Sequence, residues 1–218
     1  MVEKPIMSQQ VSEPAPVERS GRREQNKAEN RAALLKAART VFAEIGYNAA
    51  GVRDIVRRTD LASGTFYNYF KDKTEIFSAV IAQLSGELLA RQRHGQGRHK
   101  ATTAEEFLRR HCSVYFHFVA EDPEILAFGR NNVTPIRNLI RTPDMQFLSD
   151  AFKEDVKSAM ARGVLPNVDL DYLIASISGV VFEVSVVMTM REPVDPDAAT
   201  DFTTNLLVNG LANLKGGG

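Results

Sequence analysis

From Leu34 onward the apolar residues recur at three- and four-residue intervals and nowhere alternate over a run. Leu34, Leu35, Ala38, Val41, Phe42 and Ile45 make one stripe, and Gly46 follows where a helix stops. Ile76, Phe77, Val80, Ile81, Leu84, Leu88 and Leu89 make another, and Phe107, Leu108, Val114, Tyr115, Phe118 and Val119 a third. A period near 3.6 with no period of two leaves an all-α chain. Glycine and proline divide it. The pattern predicts a long first helix from Arg22 and a short helix over 52–59 facing Val52, Ile55 and Val56 inward. Asp60-Leu61-Ala62 breaks the pattern, Asp tolerating the left-handed conformation of a tight turn. A second short helix spans 63–70, and another opens near Asp72. Residues 92–101 read as a loop. Later helices stop at Asp122-Pro123, are interrupted at Pro135, and run over 145–162, 170–190 and 197–214. Residues 1–21, rich in Pro, Glu, Ser and Gln, read as a disordered tail.

The formal net charge of the 218 residues is zero, but its halves differ. Residues 1–100 hold 17 Lys+Arg against 11 Asp+Glu, a net +6; residues 101–218 hold 10 against 16, a net −6. The basic front half favours a polyanionic partner. Cys112 is the one cysteine, so no intrachain disulfide and no cysteine metal site is expected, and a reducing, cytoplasmic setting fits. The stretch from Leu173 to Met190 is interrupted by Ser176, Ser178, Glu183 and Ser185 and reads as too polar for a membrane span, so no membrane partner is expected.

Two short helices across a tight turn make a helix-turn-helix, whose second helix enters the DNA major groove. Phe66 and Phe70 are four apart and share a face that can dock on Val52, Ile55 and Val56. Ser63, Thr65, Tyr67 and Asn68 are then left to point outward, with Tyr69 at the boundary. Asn pairs bidentately with adenine, a Thr methyl packs on thymine, and hydroxyls reach phosphate oxygens. Gly64 lets the backbone approach closely, and Lys71 adds charge. Lys73 opens the next helix, where its ammonium and the helix N-terminus both attract phosphate.

The segment GYNAAGVRDIVRRTDLASGTFYNYFKDKTEIFSAVI, residues 46–81, resembles the DNA-binding domain of the TetR family of transcriptional regulators. Phe42, Gly46-Tyr47, Val52-Arg53-Asp54-Ile55, Gly64-Thr65-Phe66-Tyr67, Tyr69-Phe70, Lys73 and Phe77 carry the likeness. It covers residues 22–90 and implies DNA contacts from Arg53, Ser63, Gly64, Thr65, Tyr67, Asn68, Tyr69, Lys71 and Lys73. It also implies that Arg22, Arg23 and Lys27 precede the motif as minor-groove arginines and lysines do. Three positions depart from the pattern. Ala50-Gly51 stands where the family has Thr or Ser, Asp60 replaces the turn glycine, and Ala62 takes the capping serine's place, leaving Ser63 to cap. Each cap change is worth about 0.5–2 kcal/mol, which a fold tolerates.

The resemblance implies a helix-turn-helix domain over 22–73 and a helical ligand-binding and dimerisation domain over 74–218. Large, adaptable side chains on the later helices suit an apolar pocket. Phe107, Tyr115, Phe118, Phe128, Phe147 and Phe182 are candidate lining residues, with Asn132 a candidate polar anchor. The helix over 170–190 is apolar on more than one face, so it must be covered on several sides, as in the family's four-helix dimer interface. The expectation is a homodimeric repressor released from its operator by a small hydrophobic effector. The alternatives are a DNA-binding regulator without an effector and a helical lipid-binding protein. No catalytic or metal-binding motif stands out: His111 and His117 are six apart, and Cys112 cannot face its neighbour His111 on a helix. No cofactor is expected.

Overall fold

A computed structural model describes the backbone of residues 16–95, 100–140, 142 and 146–214, and the side chains of 22–94, 100–140, 142 and 150–214. The described residues form helices and connecting turns, with no strand among them. In order they are α1 (Pro16–Ala49), α2 (Val52–Val56), a 3-10 helix (Ser63–Asn68), α3 (Lys73–Gly95), α4 (Ala104–Glu121), α5 (Pro123–Asn131), α6 (Val133–Leu139), α7 (Gln146–Ala161), α8 (Leu170–Thr189) and α9 (Pro196–Ala212).

Several boundaries differ from the periodicity, each for a local reason. α1 begins at Pro16, so 16–21 are helical and only 1–15 of the expected tail lie outside the described residues. α3 runs to Gly95, so 92–95 are helix rather than loop, while 96–99, His99 included, lie outside the described residues. The break between α5 and α6 falls at Asn132, not at Pro135. Pro135 sits in the first turn of α6, where its missing N–H has no intrahelical partner to lose. α2 is shorter than expected. Among the described residues none other than glycine adopts a positive φ, so the turn through Asp60 is made without a left-handed residue.

Acidic caps set the later helices. Asp122 accepts from the backbone N–H of Glu124 at 2.8 Å, and Asp195 from that of Ala198 at 2.8 Å. Each is followed by proline at the first helical position, where φ is already set for helix.

The front helices share one core. Leu34, Ala38 and Phe42 of α1, Ile55 of α2, Phe66, and Phe77 and Val80 of α3 are buried together with Phe118 of α4 and Phe128 of α5. Phe42 meets Phe77 edge-on at 5.1 Å, and Phe77 stacks on Phe128 at 5.7 Å. A second core of Leu108, Val156, Ala159, Leu173 and Ile177 holds α4, α7 and α8. α8 is the exception to the polarity expectation: by length and composition alone it is apolar enough to cross a bilayer. Its serines and single glutamate do not offset the Val, Ile and Leu around them. A core or interface helix meets the same test, and α8 packs on α4, α5, α7 and α9.

Candidate nucleic-acid interface and ligand cavity

The 3-10 helix buries one side and presents the other. Phe66 is 0% and Phe70 2% exposed, and their rings lie 5.8 Å apart on the core side. Full burial of such a ring contributes about 2–3 kcal/mol. Arg31 of α1 covers Phe70, its guanidinium carbon 5.3 Å from the ring centroid. The opposite side carries Ser63, Gly64, Tyr67 and Asn68, all exposed, and Thr65, half-buried. Tyr67 is 63% exposed. A Cβ on Gly64 would meet nothing within 4 Å, so that flank is open to an approaching surface. Arg53 on α2 and Lys71 before α3 are exposed nearby, as are Arg22, Arg23 and Lys27 on α1.

Ala62 holds the cap position of the 3-10 helix and supplies no side-chain bond. Ser63 is the first residue inside the helix and does not act as its cap. At α2 the cap is Gly51, and Asp54 compensates by accepting from the Gly51 N–H at 2.8 Å. That is the reciprocal half of a capping box; the Asp54 N–H, which a Thr or Ser hydroxyl would take, donates to the Gly51 carbonyl at 3.0 Å instead.

Two sequence-predicted contacts sit differently. The Tyr69 hydroxyl accepts from Asn30 Nδ2 of α1 at 3.3 Å, so it points back into the protein rather than free. Lys73 is half-buried. Its Nζ donates to the carbonyls of Tyr47 at 2.7 Å and Ala50 at 2.8 Å and lies 4.4 Å from the Tyr47 ring centroid. An ammonium has three donors. Two are committed to the carbonyls that end α1 and lead into α2, so this lysine first fixes the motif's geometry.

The end of α1 is clamped from behind. Gly46 has φ 75° and ψ 161°, a region open essentially to glycine alone. A Cβ there would also stand 2.9 Å from the Asn131 carbonyl oxygen. Asn132 is fully buried: its Oδ1 accepts from the Tyr47 N–H at 2.6 Å, and its Nδ2 donates to the Phe42 and Phe128 carbonyls, each at 2.8 Å. Asn131 Nδ2 donates to the Ala43 carbonyl at 2.6 Å. Asn132 is therefore no ligand anchor; every polar group of its side chain is engaged by backbone. Arg39 of α1 adds an ion pair to Asp122 at 2.7 Å at the other end of α5.

Behind this junction lies an apolar cavity of about 370 Å³, walled by α3, α4, α6, α7 and α8. Of the candidate lining residues, Tyr115 and Phe182 lie on its wall. Phe118 and Phe128 line a smaller adjoining space of about 110 Å³ that shares Ile81, Leu84, Tyr115, Ile136 and Phe182 with it. Phe107 does not line the cavity; it is buried in the second core and faces a polar cleft. The side chain of Phe147 lies outside the described residues. Sequence reasoning missed Leu84, Leu88, His111, Cys112, Phe152 and Ile177, which come from five-helix packing rather than from one motif. Burial pushes the Cys112 thiol up to about 11 and raises the Tyr115 hydroxyl too, the latter opposed by its 3.4 Å contact with Ser185. Both stay neutral in the wall.

A model of bacterial regulatory proteins of the tetR family matches residues 34–80, which end within α3 and contain the whole exposed motif. Residues 34–80 are therefore a segment of the TetR type. The HTH-type transcriptional activator FasR of Mycolicibacterium smegmatis is 32% identical over 96 residues, spanning 44% of this chain and 43% of FasR. The HTH-type transcriptional repressor DhaR of Mycobacterium sp. (strain GP1) is 25% identical over 177 residues, spanning 74% and 85%. The crystal structure of the regulator FadR from Bacillus subtilis in complex with stearoyl-CoA shares the fold, with a TM-score of 0.67, 22% identity, and 82% of this chain and 98% of that one covered. The matched segment is that of helix-turn-helix, DNA-binding regulators of transcription, and the chain spans under half the length of FasR.

Proposed function

We propose that the chain is a homodimeric repressor that leaves its operator when a small apolar effector fills the cavity. One observation carries the coupling: α3 serves both sites. Its first turns place Phe77 and Val80 in the core under the DNA-facing motif, and its later turns place Ile81, Leu84, Leu88 and Leu89 on the cavity wall. A ligand that binds one position of α3 better than another shifts the motif with it. FadR, of the same fold, was captured with stearoyl-CoA, which supports an effector bearing an acyl-sized apolar body.

The DNA contacts assigned are Arg53, Ser63, Gly64, Thr65, Tyr67, Asn68 and Lys71, with the third donor of Lys73 and the ring of Tyr69 at the edge. The second copy pairs through α8 and α9, where Tyr172, Val187, Met190, Phe202 and Leu206 are all close to half exposed or more. Pairing covers these and sets two motifs about 34–36 Å apart, one turn of duplex. The regulator acts where the chromosome is, in the cytoplasm.

The test has two stages. The full chain selects duplexes from a random-sequence library, and the selected duplex is titrated with and without long-chain acyl compounds. A palindromic site whose affinity falls at least tenfold with one of them supports the reading. No selected sequence, or a site indifferent to every apolar compound, overturns it.

A further inference from the structure

α1 continues past the domain it belongs to. Its first buried residue is Leu34, whereas residues 22–29 are helical and exposed on every side. A surface bond from Gln25 Nε2 to Glu29 Oε1 at 3.0 Å spans one turn of this stretch. A helix that is polar all round has no face to bury in its own fold. Two contacts fix where it leaves the domain. Asn30 Nδ2 donates to the Tyr69 hydroxyl at 3.3 Å, and the Arg31 guanidinium lies 5.3 Å from the Phe70 ring centroid. Both partners follow directly on the 3-10 helix, and exposed Lys71 comes next. α1 therefore crosses the end of the motif on its core side and runs on beyond it.

Helical phase decides which side chains overhang the motif. At about 100° per residue, Arg23 lies about 20° and Lys27 about 60° from Asn30, inside the arc of about 100° from Asn30 to Arg31. Glu24 stands at the edge of that arc, and Arg22 and Glu29 on the far side. At 1.5 Å per residue, Lys27 is about 4–6 Å and Arg23 about 10–12 Å beyond the two contacts. Neither has an ion-pair partner among the described residues. The resemblance places such residues in the minor groove, but a groove about 6 Å wide does not admit a helix of about 10–12 Å diameter. The major groove is about 8.5 Å deep, so a helix lying in it has phosphate strands rising beside it. We propose that Arg23 and Lys27 each contact a backbone phosphate on the rim of the groove that the motif enters, anchoring the motif without reading sequence. This rests on the reading that the exposed face of the 3-10 helix enters the major groove, and it adds a second, sequence-independent surface to that site.

The full chain, Arg23→Gln/Lys27→Gln and the control Lys36→Gln are titrated by fluorescence anisotropy against the selected duplex and a scrambled duplex of equal length, at about 50 to 300 mM NaCl. Lys36 is exposed on the same helix, about 170° from the middle of the overhanging arc. All three side chains are exposed, so both variants fold as the natural chain does. Each lost phosphate contact lowers the slope of log affinity against log salt by about 0.9, so the double variant flattens it by about 1.8 per protomer on both duplexes. At about 150 mM NaCl its affinity for both falls by a common factor of at least about ten, and the ratio between duplexes holds. Lys36→Gln changes the slope by less than about 0.3. An unchanged slope in the double variant, or an equal change per charge in Lys36→Gln, overturns the inference and leaves the major-groove reading standing. A loss confined to the selected duplex also overturns it, because readout of bases or groove width then replaces phosphate contact. A natural chain that prefers neither duplex overturns the major-groove reading and the inference with it.

Discussion

The exposed helix-turn-helix face and the apolar cavity are built in opposite ways. The motif comes from one contiguous stretch, 46–73, whose local pattern decides which side chains face in and which face out. Phe66 and Phe70 are buried, and Tyr67 and Asn68 between them are exposed. The cavity draws its wall from five helices, and α3 and α8, which line it, are separated by more than seventy residues. A contiguous surface can be altered with little effect on folding, because its outward side chains pack on little. A distributed cavity cannot, because each wall residue also holds helices together. Between the two lies the Gly46–Asn132 junction, which belongs to neither surface and orients both.

The sharpest way to break this contrast is to find a motif residue that is not a packing residue when it should be. Phe66→Ala is expected to cost about 3–5 kcal/mol, as removal of a fully buried ring does, read as a Tm drop of roughly 6–20 °C. The junction comes next. Gly46→Ala forces a side chain into a glycine-only backbone region and against Asn131, for about 2–4 kcal/mol in thermal or urea unfolding. Asn132→Ala strands the Tyr47 N–H and two carbonyl partners and falls in the same range. Lys73→Met keeps the side chain's apolar stem but removes two charge-assisted hydrogen bonds. It should cost about 1–3 kcal/mol of stability, measured by urea unfolding. A Lys73→Met chain of unchanged stability and weakened DNA binding would return Lys73 to the contact surface. The smallest effect is on reactivity. With its thiol pushed up to about 11, Cys112 should react with iodoacetamide at pH 8 at least tenfold more slowly than in the urea-unfolded chain.

The same contrast explains what could be read from sequence. Helix number and most boundaries follow from period and punctuation, and the Asp-Pro pairs at 122–123 and 195–196 mark their helix starts in the structure. The inward and outward faces of the motif also follow, because four-residue spacing fixes them. Partners that lie far along the chain do not. Nothing near Tyr69 says that Asn30 will meet its hydroxyl, and nothing near Lys73 says that two carbonyls from residues 47 and 50 will take its ammonium. Asn132 looked available because buried amides and ligand-binding amides are the same residue type; only the three backbone groups around it decide. Phe107 and Phe182 are the same residue type, each on a helix of the later bundle, and packing sends one into a core and the other to a cavity wall.

The most direct measurement is DNA binding by the double variant Tyr67→Ala/Asn68→Ala, with thermal unfolding run beside it. Both side chains are exposed, so Tm should stay within about 2 °C of the natural chain, the effect of a surface change of roughly 0.5 kcal/mol. Affinity for the selected duplex should fall at least about thirtyfold, since removing one side chain's bond to a base or phosphate costs about 1–3 kcal/mol and two are removed. Unchanged affinity in a folded double variant would contradict the claim that this face of the 3-10 helix reads the duplex.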